Sequence, residues 1–236
     1  GYSSPDKNIE HATFNAMRDS MTHRGPDGEG SVFFESNKLA LGHRRLSIID
    51  LSEQGKQPMC SEDERVWITF NGEIYNYQHL KQELINEFVF RSSSDTEVLI
   101  YGYIKWGIKG LLERIEGMFA FAIYDKDKQR IFMARDRVGI KPLYYYHRKR
   151  TLIFSSELKG ITSYPDFQKK INPDALASYF RLRYIIGPLC IYQDCAKLLP
   201  GHFASYQLNT GELETQEYWS LAKSVKQIKD PEDKII

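Results

Sequence analysis

The sequence predicts an α+β fold of two mainly antiparallel sheets with helices on their outer faces. Apolar stretches of strand length come in two blocks. SVFFES, LALGHRRLSIID and RVWITF precede residue 71, and MFAFAIYD, RIFMARD, KPLYYYH and TLIFSSEL follow residue 116, with helical spacing between the blocks. Polar tips at Lys126-Asp127-Lys128 and His147-Arg148-Lys149-Arg150 separate members of the second block, as hairpins require. The 15 Tyr and 13 Phe of the 236 residues suit strands around a sizeable core. Two sheets that each have one apolar face bury them against one another and leave the helices outside.

Taken in order, residues 9–22 carry Phe14, Met17 and Met21 at spacings of three and four, an amphipathic helix. Gly25, Pro26 and Gly28 in HRGPDGEG end it. VWITF then runs into Asn71-Gly72, a strong turn signal, while Leu80, Leu84 and Ile85 beyond it have helical spacing. A strand should therefore turn at Asn-Gly and leave as a helix. FVFRSSSD reads as a strand that ends in serines, after which Ser94 or Asp95 can cap the helix TEVLIYGYIKWG. IKGLLERI adds a short helix to the same layer. MFAFAIYD is apolar nearly throughout and should be buried on both faces. INPDALASYF offers Asn172 as N-cap and Pro173 at the first helical position. LCIYQD and HFASYQL read as two more strands, with LLPGH as the turn between them. Residues 221–236 read as a linker or the start of a further domain.

Composition narrows the function. A net charge of +1 recommends neither nucleic acid nor an anionic membrane as partner. No apolar run is long enough for a membrane span, and the opening GYSSPDKNIE is too polar for a signal peptide, so a cytoplasmic protein is expected. Cys60, Cys190 and Cys195 have no zinc or redox spacing and read as spectator thiols. No glycine-rich phosphate loop and no cluster with metal-ligand spacing occurs.

Four constellations could carry chemistry. Arg44 and Arg45 are adjacent in a strand, so one faces inward or into a cleft, where it grips a substrate carboxylate or closes an internal salt bridge. The Asn71 amide and the Gly72 N–H can converge on a developing oxyanion, or form a plain turn. Asp95 can cap a helix or hold an ammonium. In RDRVGIKPL, residues 135–143, the charges can pair among themselves around a turn, and a structural role is expected. Together these describe an amino-acid site without a nucleophile.

MTHRGPDGEG, LGHRRLSIIDLS, FNGEIYNYQHLKQEL, SSSDTEVLI, GMFAFAIYD, RDRVGIKPLYYY and FSSELKGI, in that order, resemble the glutaminase domain of glutamine-hydrolysing asparagine synthetases. This is the class II glutamine amidotransferase group of N-terminal-nucleophile (Ntn) hydrolases, and the resemblance covers residues 1–220. It implies a four-layer αββα sandwich and a mature N-terminal cysteine as nucleophile, which would lie just upstream of Gly1. Arg45 would grip the α-carboxylate of glutamine, and Glu73 and Asp95 its ammonium. Ile48 and Ile49 would line the pocket, with Asn71 and Gly72 forming the oxyanion hole. The domain itself would need no cofactor; ATP and Mg²⁺ would serve a synthetase domain or subunit that receives the ammonia and uses it on aspartate or another acceptor. A homodimer is compatible with this plan. A glutamine-binding or regulatory module without activity, and a purely structural domain, are the competing readings.

Overall fold

A computed structural model describes residues 1–46 and 55–226. In chain order the first elements are β1 (Tyr2–Ser3), α1 (His11–Asp19), β2 (Gly28–Phe34), β3 (Leu39–Arg45), β4 (Met59–Cys60) and β5 (Val66–Ile74). Two helices follow, α2 (Tyr77–Leu84) and α3 (Asp95–Arg114). The second strand block comprises β6 (Gly117–Asp125), β7 (Arg130–Arg135), β8 (Tyr144–Arg148) and β9 (Thr151–Ser155). After α4 (Leu158–Thr162) and α5 (Pro173–Leu182) come β10 (Cys195–Lys197), β11 (His202–Gln207), β12 (Leu213–Glu217) and α6 (Leu221–Lys226).

The strands form two six-stranded sheets in the orders β10-β8-β9-β1-β3-β2 and β12-β11-β7-β6-β5-β4, and every pairing is antiparallel. β6 shows why these stack. Phe119, Phe121 and Ile123 on one face join Leu80, Leu84, Leu99 and Leu112 of α2 and α3 in one core. Ala120, Ala122 and Tyr124 on the other face meet Leu39, Leu41, Leu152 and Phe154 of the opposite sheet. A third core packs Phe14 and Met17 of α1 and Ile161 of α4 on Tyr2, Ala40 and Ile153. Three cores between four layers make the expected αββα sandwich, with MFAFAIYD buried on both faces. Among the described residues no helix is long and apolar enough to cross a membrane.

Three local expectations are corrected. Asn71-Gly72 is not a turn: β5 continues to Ile74, with Asn71 opposite Ala120 and Gly72 opposite Phe119. Gly72 serves a close approach instead, since a Cβ there would lie 2.2 Å from the Met118 carbonyl oxygen. The chain turns at Tyr75-Asn76, where the Asn76 amide donates to the Arg114 carbonyl and accepts from the Glu116 N–H. FVFRSSSD is not a strand either. Buried Glu97 accepts from the Arg91 and Ser92 N–H groups at 2.9 and 2.8 Å, so a side chain takes the place of a ladder. LCIYQD makes only isolated bridges through Leu189 and Tyr192, and the strand itself lies at Cys195–Lys197.

Elsewhere the local signals hold. Asn172 accepts from the Asp174 and Ala175 N–H groups at the start of α5, with Pro173 behind it. Ser94, not Asp95, caps α3 by accepting from the Thr96 N–H at 3.2 Å. The helices expected over 96–107 and 108–115 form one element broken at Gly107, whose φ of 68° only glycine adopts freely.

Candidate active site

β5 supplies the floor of the main cleft through the direction of its backbone. Its odd-numbered N–H groups face the β6 side, as the Tyr75 N–H donating to the Glu116 carbonyl continues to show. The even-numbered ones face the other edge, beyond the end of short β4. There the Phe70 N–H donates to Gln57 Oε1 at 2.6 Å and the Ile74 N–H to Asp95 Oδ2 at 3.0 Å. Between those two satisfied donors the Gly72 N–H has no acceptor among the described residues, and Gly72 lines the cleft. Beside it, Asn71 Nδ2 is buried and has no hydrogen-bond partner among the described residues. Two donors without acceptors, adjacent in one strand, are a place where negative charge on oxygen is welcome.

The walls come from distant segments. Arg44 and Arg45 do face opposite ways. Arg44 donates to Glu29 at 2.7 Å, to Asp19 at 3.3 Å and to the Gly25 carbonyl, which makes it the internal salt bridge. Arg45 lines the cleft together with Glu73, Asp95, Gln57 and Met118. Asp95 is 3% exposed, and burial raises its carboxyl above the ordinary range despite N–H bonds from Ile74 and Thr96. A desolvated carboxyl of this kind gains most when a cation is brought to it. Arg45, Asn71, Gly72, Glu73 and Asp95 are thus brought into one cleft of about 260 Å³, room for a small amino acid. Ile48 and Ile49 lie outside the described residues.

A second cavity of about 100 Å³ lies behind Asn71, lined by Gly1, Ala120, Ala122, Leu143 and Phe154. Arg24, His43, Arg44, Phe70 and Asn71 border both spaces. Among the described residues no group of three or more His, Cys, Asp or Glu side chains could hold a metal ion.

His43 stands on the shared wall, its Nδ1 3.4 Å from Thr69 Oγ1. Burial, with the Arg45 charge as a second cause, pulls its imidazole from 6.5 down to about 4. The unfolded chain therefore takes up a proton below the ordinary value while the folded protein does not. Stability from this group is complete above that value and is lost as pH falls toward 4, by on the order of 3 kcal/mol. Urea unfolding at neutral pH and near pH 4 should show that decline, and His43→Gln should flatten it. An unchanged slope in the variant would exclude His43 as the cause.

A family model described as a glutamine amidotransferase domain matches residues 1–219. The chain belongs to this family. A protein of Methanocaldococcus jannaschii assigned provisionally as a glutamine-hydrolysing asparagine synthetase is 40% identical over 233 residues, covering 91% of this chain and 45% of that protein. Asparagine synthetase (glutamine-hydrolysing) 2 of Bacillus subtilis is 39% identical over 210 residues, covering 87% of this chain and 27% of its own length. The chain thus spans less than half the length of these relatives. The solved glutamine phosphoribosylpyrophosphate amidotransferase of B. subtilis superposes with a TM-score of 0.64 at 20% identity, over 90% of this chain and 48% of that one. That likeness shows the shared amidotransferase fold.

The cleft of this amidotransferase domain also takes in residues to which the sequence assigned no role. His43 carried a usable signal, because it sits two residues before Arg45 and so shares its strand face. Gln57, which satisfies Phe70, and Met118 on the rim of the domain's cleft carried none, since each acquires its place from strand pairing.

Proposed function

We propose that this domain hydrolyses glutamine to glutamate and ammonia and passes the ammonia to an ATP-dependent synthetase part of the asparagine-synthetase type. The observation that supports this best is the unpartnered Asn71 amide beside the open Gly72 N–H, in the cleft that also holds Arg45, Glu73 and Asp95. In this reading Arg45 grips the α-carboxylate and Asp95, with Glu73, holds the ammonium. The carboxamide carbon then lies over Asn71 and Gly72. The nucleophile is the N-terminal cysteine characteristic of the family, and Gly1 lines the inner cavity beside Asn71.

The thiolate attacks the carboxamide carbon, and the carbonyl oxygen takes up negative charge between Asn71 Nδ2 and the Gly72 N–H. The cysteine's own α-amine takes the thiol proton as the thiolate forms and returns it to the leaving nitrogen as the intermediate collapses, so ammonia departs and leaves a glutamyl thioester, which water cleaves to glutamate and free thiol. No cofactor enters these steps; ATP and Mg²⁺ belong to the synthetase part. The test is glutamate and ammonia release by the full-length protein, followed by asparagine formation with ATP, Mg²⁺ and aspartate. Glutamate release without asparagine would redirect the search to another acceptor. Glutamine binding without any release would favour a regulatory module.

Arg45→Ala removes a charge-assisted grip and should raise the KM for glutamine by roughly 10- to 100-fold with a much smaller change in kcat. Steady-state kinetics decide this. An unchanged KM would remove Arg45 from the carboxylate site.

A further inference from the structure

RDRVGIKPL is the one constellation that the reading above leaves without a task, and its construction is unusually costly. Asp136 is fully buried, and its carboxylate accepts from the N–H groups of Phe119 at 3.2 Å, Ile140 at 2.8 Å and Lys141 at 2.9 Å. Arg135 turns its guanidinium onto the carbonyls of Gly139, Lys141 and Leu198, each at 2.8 Å. Gly139 makes the tight bend at a φ of 76°. Both the N–H and the C=O of Lys141 are therefore held by charged groups drawn away from water. Burying such charges is expensive, and the result here is one residue with a fixed backbone.

Lys141 itself lines the cleft. Other cleft cations are already engaged: Arg24 with Glu157 at 3.2 Å, and Arg44 with Asp19 and Glu29. The Lys141 ammonium is paired with no carboxylate among the described residues. Its side is set by strand order. Asp95 bonds to the outer edge of β5 at Ile74, whereas Lys141 is tied through Asp136 to Phe119 of β6, directly opposite Gly72. Neighbouring strands lie about 4.8 Å apart, and a lysine side chain is longer than that. An amino acid whose ammonium rests at Asp95 thus extends across the Asn71-Gly72 floor toward Lys141.

The geometry points to Lys141 as a further substrate-positioning residue, whose ammonium holds the negative charge that appears at the carboxamide end. That charge sits first on the tetrahedral oxygen and then on the γ-carboxylate of glutamate. The inference rests on the glutaminase reading above. It also gives RDRVGIKPL a purpose, as the scaffold that presents this cation. Neutral glutamine makes little use of the charge, so the effect falls on turnover and on product binding rather than on substrate binding.

The test compares full-length wild-type protein with Lys141→Met and Lys141→Arg. Glutamate is titrated calorimetrically, glutamine turnover is measured at steady state, and melting temperature checks the fold. Lys141→Met should weaken glutamate binding and lower kcat by about tenfold each, with the KM for glutamine within about twofold, and Lys141→Arg should recover most of both losses. A folded Lys141→Met protein with unchanged kcat and glutamate affinity would overturn the inference while leaving the glutaminase reading intact. So would a Lys141→Arg protein as impaired as Lys141→Met, because the side chain would then matter for its shape. Wild-type protein that neither binds glutamate nor turns over glutamine would overturn both.

Discussion

Asn71→Ala should lower glutamine turnover by about two to three orders of magnitude, the usual effect of removing one oxyanion donor. The KM for glutamine should hold, because in the proposed site Arg45 and Asp95 grip the other end of the molecule. Stability gives a second, independent readout. Asn71 Nδ2 is buried without a partner among the described residues, and such a group costs about 1–3 kcal/mol in the folded state. Alanine relieves that cost, so the melting temperature should hold or rise as activity is lost. A residue placed for packing would behave the opposite way, losing stability first. Steady-state kinetics and a thermal melt on the same preparation separate the two; retained turnover would remove Asn71 from the oxyanion hole.

Asp136→Ala should destabilise the domain by roughly 3–5 kcal/mol, since it strips a buried carboxylate from donors that have no substitute. The Phe119 N–H it serves lies in β6, opposite Gly72, while the other two belong to the bend that carries Lys141. The Asp136 backbone also bridges outward, donating to the Phe119 carbonyl and accepting from the Gly201 N–H. One side chain thus joins the middle of the second sheet to the bend and helps keep the floor of the cleft flat. Asp136→Asn retains an acceptor oxygen and should lose less. Urea unfolding of both variants tests this, and a loss below about 1 kcal/mol for alanine would mean that water replaces the carboxylate.

The fold was legible wherever its cause was local. The four strands of the second block, the N-cap at Asn172 and the helix starting at Ser94-Asp95 depend on residues within a few positions of one another. The pairing of Arg44 and Arg45 was half legible. Alternation guarantees that adjacent strand residues face opposite ways, yet nothing near them says that Asp19 and Glu29 claim Arg44 and leave Arg45 to the cleft. The Asn-Gly signal failed for the same reason: glycine permits a turn and also permits a close strand, and only β6 decides between them. FVFRSSSD failed because the carboxylate that takes its N–H groups belongs to Glu97, on a helix that reads as a separate element.

The sequence by itself determined the family, the two blocks of strands and the residue types an amino-acid site needs. Those follow from periodicity, capping and ordered motifs, all short-range properties of the chain. Only the tertiary structure decided that, among the described residues, Asn71 Nδ2 has no partner and Gly72 keeps an open N–H between two satisfied ones, and that Lys141 lines the same cleft. Each is a statement about which hydrogen bonds remain unmade after long-range strand pairing has used the rest, and strand pairing joins residues that are far apart in the chain.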